Sequence, residues 1–164
     1  MYRNTFLSVM FLACCFNGSL CAQSDAQIYE RTCDAKTYPF SDPSPVATPN
    51  NSYYPYFRFD GFSMQAQEKQ WKMVVLENDY VKLTVTPEIG GKIWGAIDKV
   101  NNKEFVYTNG VVKFRDVAMR GPWTSGGIEF NFGIIGHAPT CSTPIDYLTK
   151  KNVDGSVSCH IFSY

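Results

Sequence analysis

The stretch of chain between positions 120 and 137 carries five side chains that could act together on a polar ligand. An arginine, a tryptophan, a carboxylate, an amide and an imidazole fall within eighteen residues, spaced by five glycines: Arg120, Trp123, Glu129, Asn131 and His137. Glycine lets a backbone approach a ligand closely or adopt a positive φ angle. A flat indole beside charged, bidentate hydrogen-bonding groups is the chemistry that holds a sugar ring. The pattern predicts a polar pocket at the rim of a β-sheet, and it leaves open whether that pocket binds or catalyses.

Glu129 is the candidate catalytic residue of this stretch. A buried carboxylate could serve as general acid or base, but the same group could pair with Arg120 or accept a hydrogen bond from a sugar hydroxyl. Glycoside hydrolysis by paired carboxylates needs a second acid close by. Asp116 and Asp146 are the nearest acids in sequence, and neither lies in a distinctive motif. Ligand contact and structural pairing therefore stay open beside catalysis.

The four other residues are candidate sugar-binding groups. The planar fork of Arg120 could hold a carboxylate or vicinal hydroxyls, or it could form an internal ion pair. Trp123 could stack on a sugar face or fill the core. Strand alternation would place Asn131 on the same face as Glu129. His137 precedes Ala-Pro, which indicates a loop from which the imidazole could donate to a sugar oxygen.

Metal and cofactor sites are weakly represented in the sequence. His137 and Cys141 are four residues apart, but no second ligand pair with zinc spacing follows. Cys159 and His160 would point to opposite faces of a strand. The chain has no P-loop, no dinucleotide fingerprint, no nucleophile elbow and no His-Glu-x-x-His. We expect neither a metal nor a cofactor.

Short strands separated by turns must position these residues. Val81, Leu83 and Val85 alternate with polar neighbours, a period of two that buries one face of a strand. Turn signals such as Asn-Asp at 78–79 and Asn-Gly at 109–110 stand between such segments. Five further segments are predicted to be strands: residues 73–77, 93–97, 104–107, 111–115 and 157–161. The spacing predicts an all-β fold, an antiparallel sandwich or barrel.

The first 22 residues have the features of a secretory signal peptide. Arg3 supplies a weakly basic start, residues 6–16 form an apolar run too short to span a bilayer, and Ala22 is a small residue before the expected cleavage site. We therefore expect a secreted or periplasmic protein. The alternative treats residues 11–14 as a loose lipoprotein box with Cys14 acylated, and only that alternative would bring the chain to a membrane.

Residues 23–56 are interpreted as an extended lead-in that lies across a surface, and residues 57–164 as the sandwich domain. The lead-in is rich in Pro, Ser and Asn, and five prolines from Pro39 onward preclude regular helix there. One weak helix signal precedes the prolines, since Ser24 and Gln27 have the spacing of a capping box.

Charge and cysteine content narrow the function classes. Fifteen basic and fifteen acidic residues balance, and no basic run is present, which argues against nucleic acid as a partner. Aromatic residues make up 15% of the chain, which is common among β-rich secreted proteins and carbohydrate binders. Outside the predicted signal, Cys33, Cys141 and Cys159 allow at most one internal disulfide. Their pairing stays open, with a buried thiol expected at Cys159.

Three motifs together resemble a large secreted bacterial family that is labelled as a domain of unknown function. They are Leu-Glu-Asn-Asp-Tyr at 76–80, Thr-Pro-Glu-Ile-Gly-Gly-Lys-Ile-Trp at 86–94 and the stretch 120–137. Members resemble the galactose-mutarotase-like supersandwich, and many continue into tetratricopeptide repeats in proteins of carbohydrate-utilisation loci. The resemblance covers about residues 53–161 and implies an incomplete supersandwich, so that the chain looks like an N-terminal fragment. It implies a sugar-facing surface and gives little support to catalysis by this chain.

Three functions follow as expectations. The first is carbohydrate recognition by part of a longer carbohydrate-active protein, with a site lined by the five residues of the stretch 120–137. The second is a full-length parent that is a glycoside hydrolase or a sugar epimerase with Glu129 in its site. The third is a structural sandwich that docks on the tetratricopeptide repeats of the parent. The sugar, its linkage and the oligomeric state are left open by the sequence.

Overall fold

The computed structural model describes residues 26–40, 62–116, 122–131 and 139–162. These ranges contain the strands β1 (Gln27–Tyr38), β2 (Gln67–Glu77), β3 (Val81–Thr86), β4 (Lys92–Asp98), β5 (Lys103–Val106), β6 (Val111–Asp116), β7 (Pro122–Thr124), β8 (Asp146–Lys151) and β9 (Val157–Phe162). A short 3₁₀ helix, which we call η1 (Pro139–Ser142), precedes β8. The predicted signal peptide, with Arg3 and Cys14, lies outside the described residues.

Seven strands form one sheet in the order β5-β4-β3-β2-β1-β6-β7, and β8 and β9 form a separate hairpin. Neighbouring strands pair antiparallel except β1 and β6, which run parallel from Lys36 opposite Val111 to Tyr38 opposite Lys113. The all-β class predicted from the sequence is confirmed. The large sheet is mixed because β1 and β6, although adjacent in space, are separated along the chain by four other strands.

β1 is a strand that the local sequence pattern did not indicate. Eleven register pairs join it to β2, from Gln27 opposite Glu77 to Thr37 opposite Gln67. From Gln27 onward, the helix that the signal suggested is therefore wrong, because pairing on two sides of the strand outweighs a weak local preference. Part of the segment interpreted as a lead-in is thus a strand inside the sheet, between β2 and β6.

The six strands predicted from alternation and turn signals are present as β2, β3, β4, β5, β6 and β9. The β2–β3 turn shows how a short polar side chain sets where one strand ends and the next begins. The Oδ1 atom of Asn78 accepts the backbone N–H groups of Tyr80 and Val81, each at 2.9 Å. The N–H of Asn78 donates to the Val81 oxygen at 3.0 Å. Asn78 thereby reverses the chain and fixes the register of β3 against β2.

The core lies on one face of the seven-stranded sheet. It consists of apolar side chains that are at most 7% exposed: Trp71, Met73, Ile89, Trp94, Val112 and Phe114. The sheet curls around this core, and an isolated bridge joins Ile93 of β4 to Ile128, which follows β7. The bridge has two hydrogen bonds, Ile93 N to Ile128 O at 3.2 Å and Ile128 N to Ile93 O at 2.9 Å. Curling encloses apolar surface that a flat sheet would leave in water.

The β8–β9 hairpin packs against β1 and β2. Tyr147 of β8 donates its hydroxyl to a carboxylate oxygen of Glu30 on β1 at 2.5 Å. Glu30 is adjacent to Arg31, which lies opposite the core residue Met73, so Glu30 points away from the core. The hairpin therefore covers the other face of the sheet, an arrangement consistent with an all-β sandwich.

No disulfide joins Cys33, Cys141 and Cys159. Cys141 is buried, whereas Cys33 and Cys159 are half-buried, so the thiol expected at Cys159 is free but only partly enclosed. In the described parts of the chain, no helix has the length and apolar character needed to cross a membrane.

Candidate functional site

Lys92, the first residue of β4, lies at the centre of the candidate site, although its side chain is only 1% exposed. Its Nζ donates two hydrogen bonds to Thr124 of β7, one to the backbone oxygen and one to Oγ1 at 2.9 Å. The ammonium thus crosses the interior of the curled sheet from β4 to β7. A buried ammonium is costly to desolvate unless it is paired and hydrogen-bonded, and Thr124 meets part of that requirement.

Glu129 is the charged partner of this lysine. Its Oε2 lies 3.8 Å from Lys92 Nζ, and its side chain is 12% exposed. Burial lowers the pKa of Lys92 below its usual 10.5, while the charge of Glu129 acts against that lowering. Desolvation of the ammonium therefore outweighs its pairing. The ion pair fixes the position of the carboxylate more than it stabilises the fold.

Trp123 lies beside the same ammonium. Lys92 Nζ is 5.8 Å from the centroid of the indole ring, within the range of a cation–π contact. On β7, Trp123 pairs with Arg115 of β6, and its side chain is half-buried. The strand and the ammonium thus hold the indole in place, in a residue that is only half-buried.

The short helix η1 borders the site at Cys141, which is 2% exposed. Burial, followed by the charge of Glu129, raises the pKa of Cys141 to about 12, so the thiol is protonated near neutral pH. The β3–β4 turn holds η1 in place, since the N–H of Gly90 donates to the Thr143 oxygen at 2.8 Å. Gly90 has a φ of +61°, and a Cβ atom there would lie 2.4 Å from the Cys141 backbone. Only glycine permits this contact.

The remaining predicted residues contribute less to the described geometry. Asn131 is exposed, two residues after Glu129, in a segment that belongs to no strand. The alternation expected to orient Asn131 and Glu129 together therefore does not apply. Arg120 and His137 lie outside the described residues. Among the five predicted site residues, the structure brings Trp123 and Glu129 together, and it does so through Lys92.

Lys92 is the residue that sequence reasoning missed. A lysine normally extends into solvent, so within the motif at 86–94 it carries no obvious sign of function. A signal was nevertheless present, because Lys92 is in phase with Trp94 and Ala96, the buried residues of β4. A charged residue in register with a buried strand face indicates a buried polar network.

The two acids considered as second carboxylates lie at the ends of strands. Asp116 is the last residue of β6, and Asp146 is the exposed first residue of β8. The described ranges contain no group of three or more His, Cys, Asp or Glu side chains that could hold a metal ion.

Residues 48–163 match the family model DUF5107, a domain of unknown function, and the chain belongs to this family. The chain is also similar to the crystal structure of a TPR-domain containing protein from Parabacteroides distasonis ATCC 8503, with 30% sequence identity and a TM-score of 0.68. That similarity covers 79% of this chain and 23% of the other, so the chain spans about a quarter of that protein's length. The resemblance to a family of unknown function is confirmed, and this relative carries tetratricopeptide repeats.

Proposed function

We propose that this domain recognises carbohydrate, as part of a longer protein, through the surface formed by Trp123, Glu129 and Asn131. One observation carries the proposal: the buried ammonium of Lys92 lies 3.8 Å from a Glu129 oxygen and 5.8 Å from the centre of the Trp123 ring. A carboxylate and the indole of a half-buried tryptophan are thus both held near one ammonium. An indole can pack on the C–H face of a sugar, while a carboxylate accepts hydrogen bonds from its hydroxyls. Arg120 and His137 are proposed as further members of the site.

Recognition fits this geometry better than catalysis. A general acid must deliver a proton to the reacting group, and the Glu129 carboxylate is already engaged by Lys92 and by the Cys141 thiol. An engaged carboxylate is well suited to being a fixed acceptor. Hydrolysis by paired carboxylates would also require a second acid at a defined separation from Glu129.

Binding to a glycan array tests the proposal. The full chain, fluorescently labelled, should bind at least one class of glycan, and Trp123→Ala should weaken that binding at least tenfold, because ~1.4 kcal/mol of lost contact corresponds to a factor of ten. Tyr80→Ala is the matched control, since Tyr80 is an aromatic residue of the β2–β3 turn that is 58% exposed. Equal binding by Trp123→Ala and the parent chain, or no bound glycan at all, would refute the proposal.

Turnover distinguishes recognition from an enzymatic parent. If the longer protein is a glycoside hydrolase or an epimerase, Glu129→Gln in that protein should abolish turnover of a bound oligosaccharide while binding persists. If Glu129 only accepts hydrogen bonds, the same substitution should weaken binding and leave any turnover by the parent unaffected.

A second candidate function is docking on repeats within a longer protein. The observation that favours it is the similarity to a TPR-domain containing protein of which this chain spans 23%. A stable complex between this domain and the parent's repeat region, without glycan binding, would support it over recognition.

The proposed setting is the periplasm or the cell exterior, because residues 1–22 have the features of a signal peptide. Fractionation of cells that express the chain with and without residues 1–22 tests this. Retention of both forms in the cytoplasm would contradict it.

A further inference from the structure

A cavity of about 240 Å³ lies beside η1. It is distinct from the Lys92 cluster, which consists of Lys92, Trp123, Thr124 and Glu129. We call it the Trp71 cavity. Its walls come from the end of β1, from β2 and β6, from the β3–β4 turn and from residues 142–144. Pockets for drug-sized ligands usually enclose about 300–1,000 Å³. The Trp71 cavity is therefore of a size for one small ring.

The floor of the cavity is aromatic and fixed. The rings of Trp71 and Phe114 meet at 44° with their centroids 6.3 Å apart. The indole Nε1 donates to Thr37 Oγ1 at 2.9 Å, so its one polar atom is already satisfied. Thr37 in turn donates to the Ala35 oxygen at 2.9 Å, which fixes the hydroxyl. Trp71 and Phe114 are only 3% and 7% exposed, so the floor is rigid and offers a ligand little ring surface.

The rim of the cavity is polar and carries one charge of each sign. Lys69 Nζ lies 3.7 Å from the centroid of the Trp71 ring. Glu88 accepts the backbone N–H of Lys72 through Oε2 at 2.6 Å. The hydroxyl-bearing residues Ser142 and Thr143 also line the cavity. The ammonium of Lys69 has three N–H donors, and its contact with the Trp71 ring uses none of them in a hydrogen bond to oxygen. These donors can therefore bind an oxygen of a ligand.

We propose that the Trp71 cavity binds a single carboxylated pyranose, the ring of a hexuronic acid. This inference rests on the proposed carbohydrate recognition for the kind of ligand, but it concerns a separate set of residues. The C–H groups of the sugar would pack against the apolar lining at Pro39, Phe40 and Pro144, and its carboxylate would meet the ammonium of Lys69. Ser142, Thr143 and the free oxygen positions of Glu88 would take the ring hydroxyls.

The distribution of charge selects this class over a neutral or a cationic sugar. Hydrogen bonds between ionised partners are roughly twice as strong as neutral ones. The ammonium of Lys69, which lies 3.7 Å above the indole ring, offers such a bond to a ligand carboxylate in the cavity. Glu88 is less available as a partner for a cation, because its Oε2 is tied to the backbone of Lys72. The favourable charge–charge contact at this cavity is therefore the one made by a ligand carboxylate.

Calorimetric titration of the full chain tests the proposal, with the methyl glycosides of galacturonic and glucuronic acid against those of galactose and glucose. We expect the uronates to bind at least tenfold more tightly than their neutral counterparts, with an advantage that shrinks as salt is added. Lys69→Gln should remove that advantage. Lys72→Gln is the matched control, because Lys72 has the same charge on the same strand but faces Glu30, at 3.8 Å.

Thr143→Phe is a second variant, which fills the cavity without changing its charge. It should abolish uronate binding while the thermal transition of the protein remains cooperative. Failure of the uronates to bind the parent chain would overturn the proposal. An unchanged uronate advantage in Lys69→Gln, or unchanged binding by Thr143→Phe, would do the same.

The results also separate this inference from the proposed function. Glycan binding that depends on Trp123 while the uronates fail to bind would leave the proposed function standing and remove the Trp71 cavity as a site. Uronate binding that depends on Lys69, with no glycan binding that depends on Trp123, would keep the Trp71 cavity as a site and remove the proposed one.

Discussion

Two regions meet at η1 and differ in how they satisfy their polar groups. Around Cys141 lie Lys92 and Glu129, whose charges have protein partners and little exposure to solvent. Around Ser142 lies the Trp71 cavity, with an aromatic floor and a lysine whose ammonium rests on a ring face. The first region joins the walls of the curled sheet and fixes the carboxylate and the indole of the proposed binding surface, whereas the second encloses a cavity. The comparison shows that the buried Lys92–Glu129 pair connects the strands and positions side chains for a surface, while the enclosed space lies next to it.

The cross-link itself follows from the curvature of the sheet. Lys92 on β4 and Thr124 on β7 are distant in strand order, and they meet only because the sheet closes on itself. Phe114, which borders the Trp71 cavity, lies opposite Thr124 in the pairing of β6 with β7. The two regions therefore share a wall, so a change in one can be read in the other.

The largest effect should come from removing the buried ammonium. Lys92→Met leaves Glu129 without its cation and should cost about 3–5 kcal/mol in the free energy of unfolding, measured with denaturant. Lys99→Met is the control, since Lys99 is a 38% exposed lysine that lies 3.8 Å from Glu77, and it should cost no more than about 1 kcal/mol. Similar losses for both variants would mean that the Lys92 cluster is no cross-link.

A double variant sharpens this test. Lys92→Met combined with Glu129→Leu removes both charges, so no uncompensated carboxylate remains, and most of the lost stability should return. Additive losses from the two substitutions would contradict the pairing.

The next effect concerns the turn that holds η1 between the two regions. Gly90→Ala places a Cβ atom 2.4 Å from the backbone of Cys141, so η1 must move. Gly155→Ala is the control, because Gly155 also has a positive φ, +83°, but has open space around it. The substitution at Gly90 should cost about 1–3 kcal/mol more than the control, because overpacking adds to the strain of the left-handed backbone. Equal costs in thermal unfolding would show that η1 is not held by this contact.

The smallest effect is a difference in thiol reactivity. Cys141 has a pKa raised to about 12 by burial, so iodoacetamide near neutral pH should modify the half-buried Cys33 and leave Cys141 untouched until denaturant is added. Peptide mass mapping reads out each site. The pKa of Cys141 is about 12 in the folded chain and about 8.5 in the unfolded chain. The contribution of Cys141 to the free energy of unfolding should therefore fall as pH rises between these two values. Prompt labelling of Cys141 in the folded chain would contradict its burial.

The local sequence pattern predicted most strands but not which strands pair with each other in the sheet. The alternation of Val81, Leu83 and Val85 indicated β3, and the Asn-Asp turn before it is present. β1 escaped notice because its hydrogen bonds go to β2 and β6, and its parallel pairing with β6 depends on the closure of the whole sheet. No local signal records such a distant pairing.

The candidate site was predicted in part for the same reason. Trp123 and Glu129 stood out as residue types, and the structure places both near one ammonium. Lys92 lies 37 positions before Glu129 in the numbering, so the partnership depends on the bridge between Ile93 and Ile128. The Trp71 cavity was not anticipated, since its walls come from strands and turns that only the curled sheet brings together.

The most direct test of the central claim is a map of chemical-shift changes in NMR spectra of the labelled chain, titrated with a glycan selected on the array. Carbohydrate recognition at the proposed surface predicts the largest changes at the Trp123 indole N–H and the Asn131 side-chain amide. Phe105 and Tyr107, aromatic residues 59% and 71% exposed at the edge of the sheet, should not change. Changes confined to that edge, or no change at Trp123, would contradict the account.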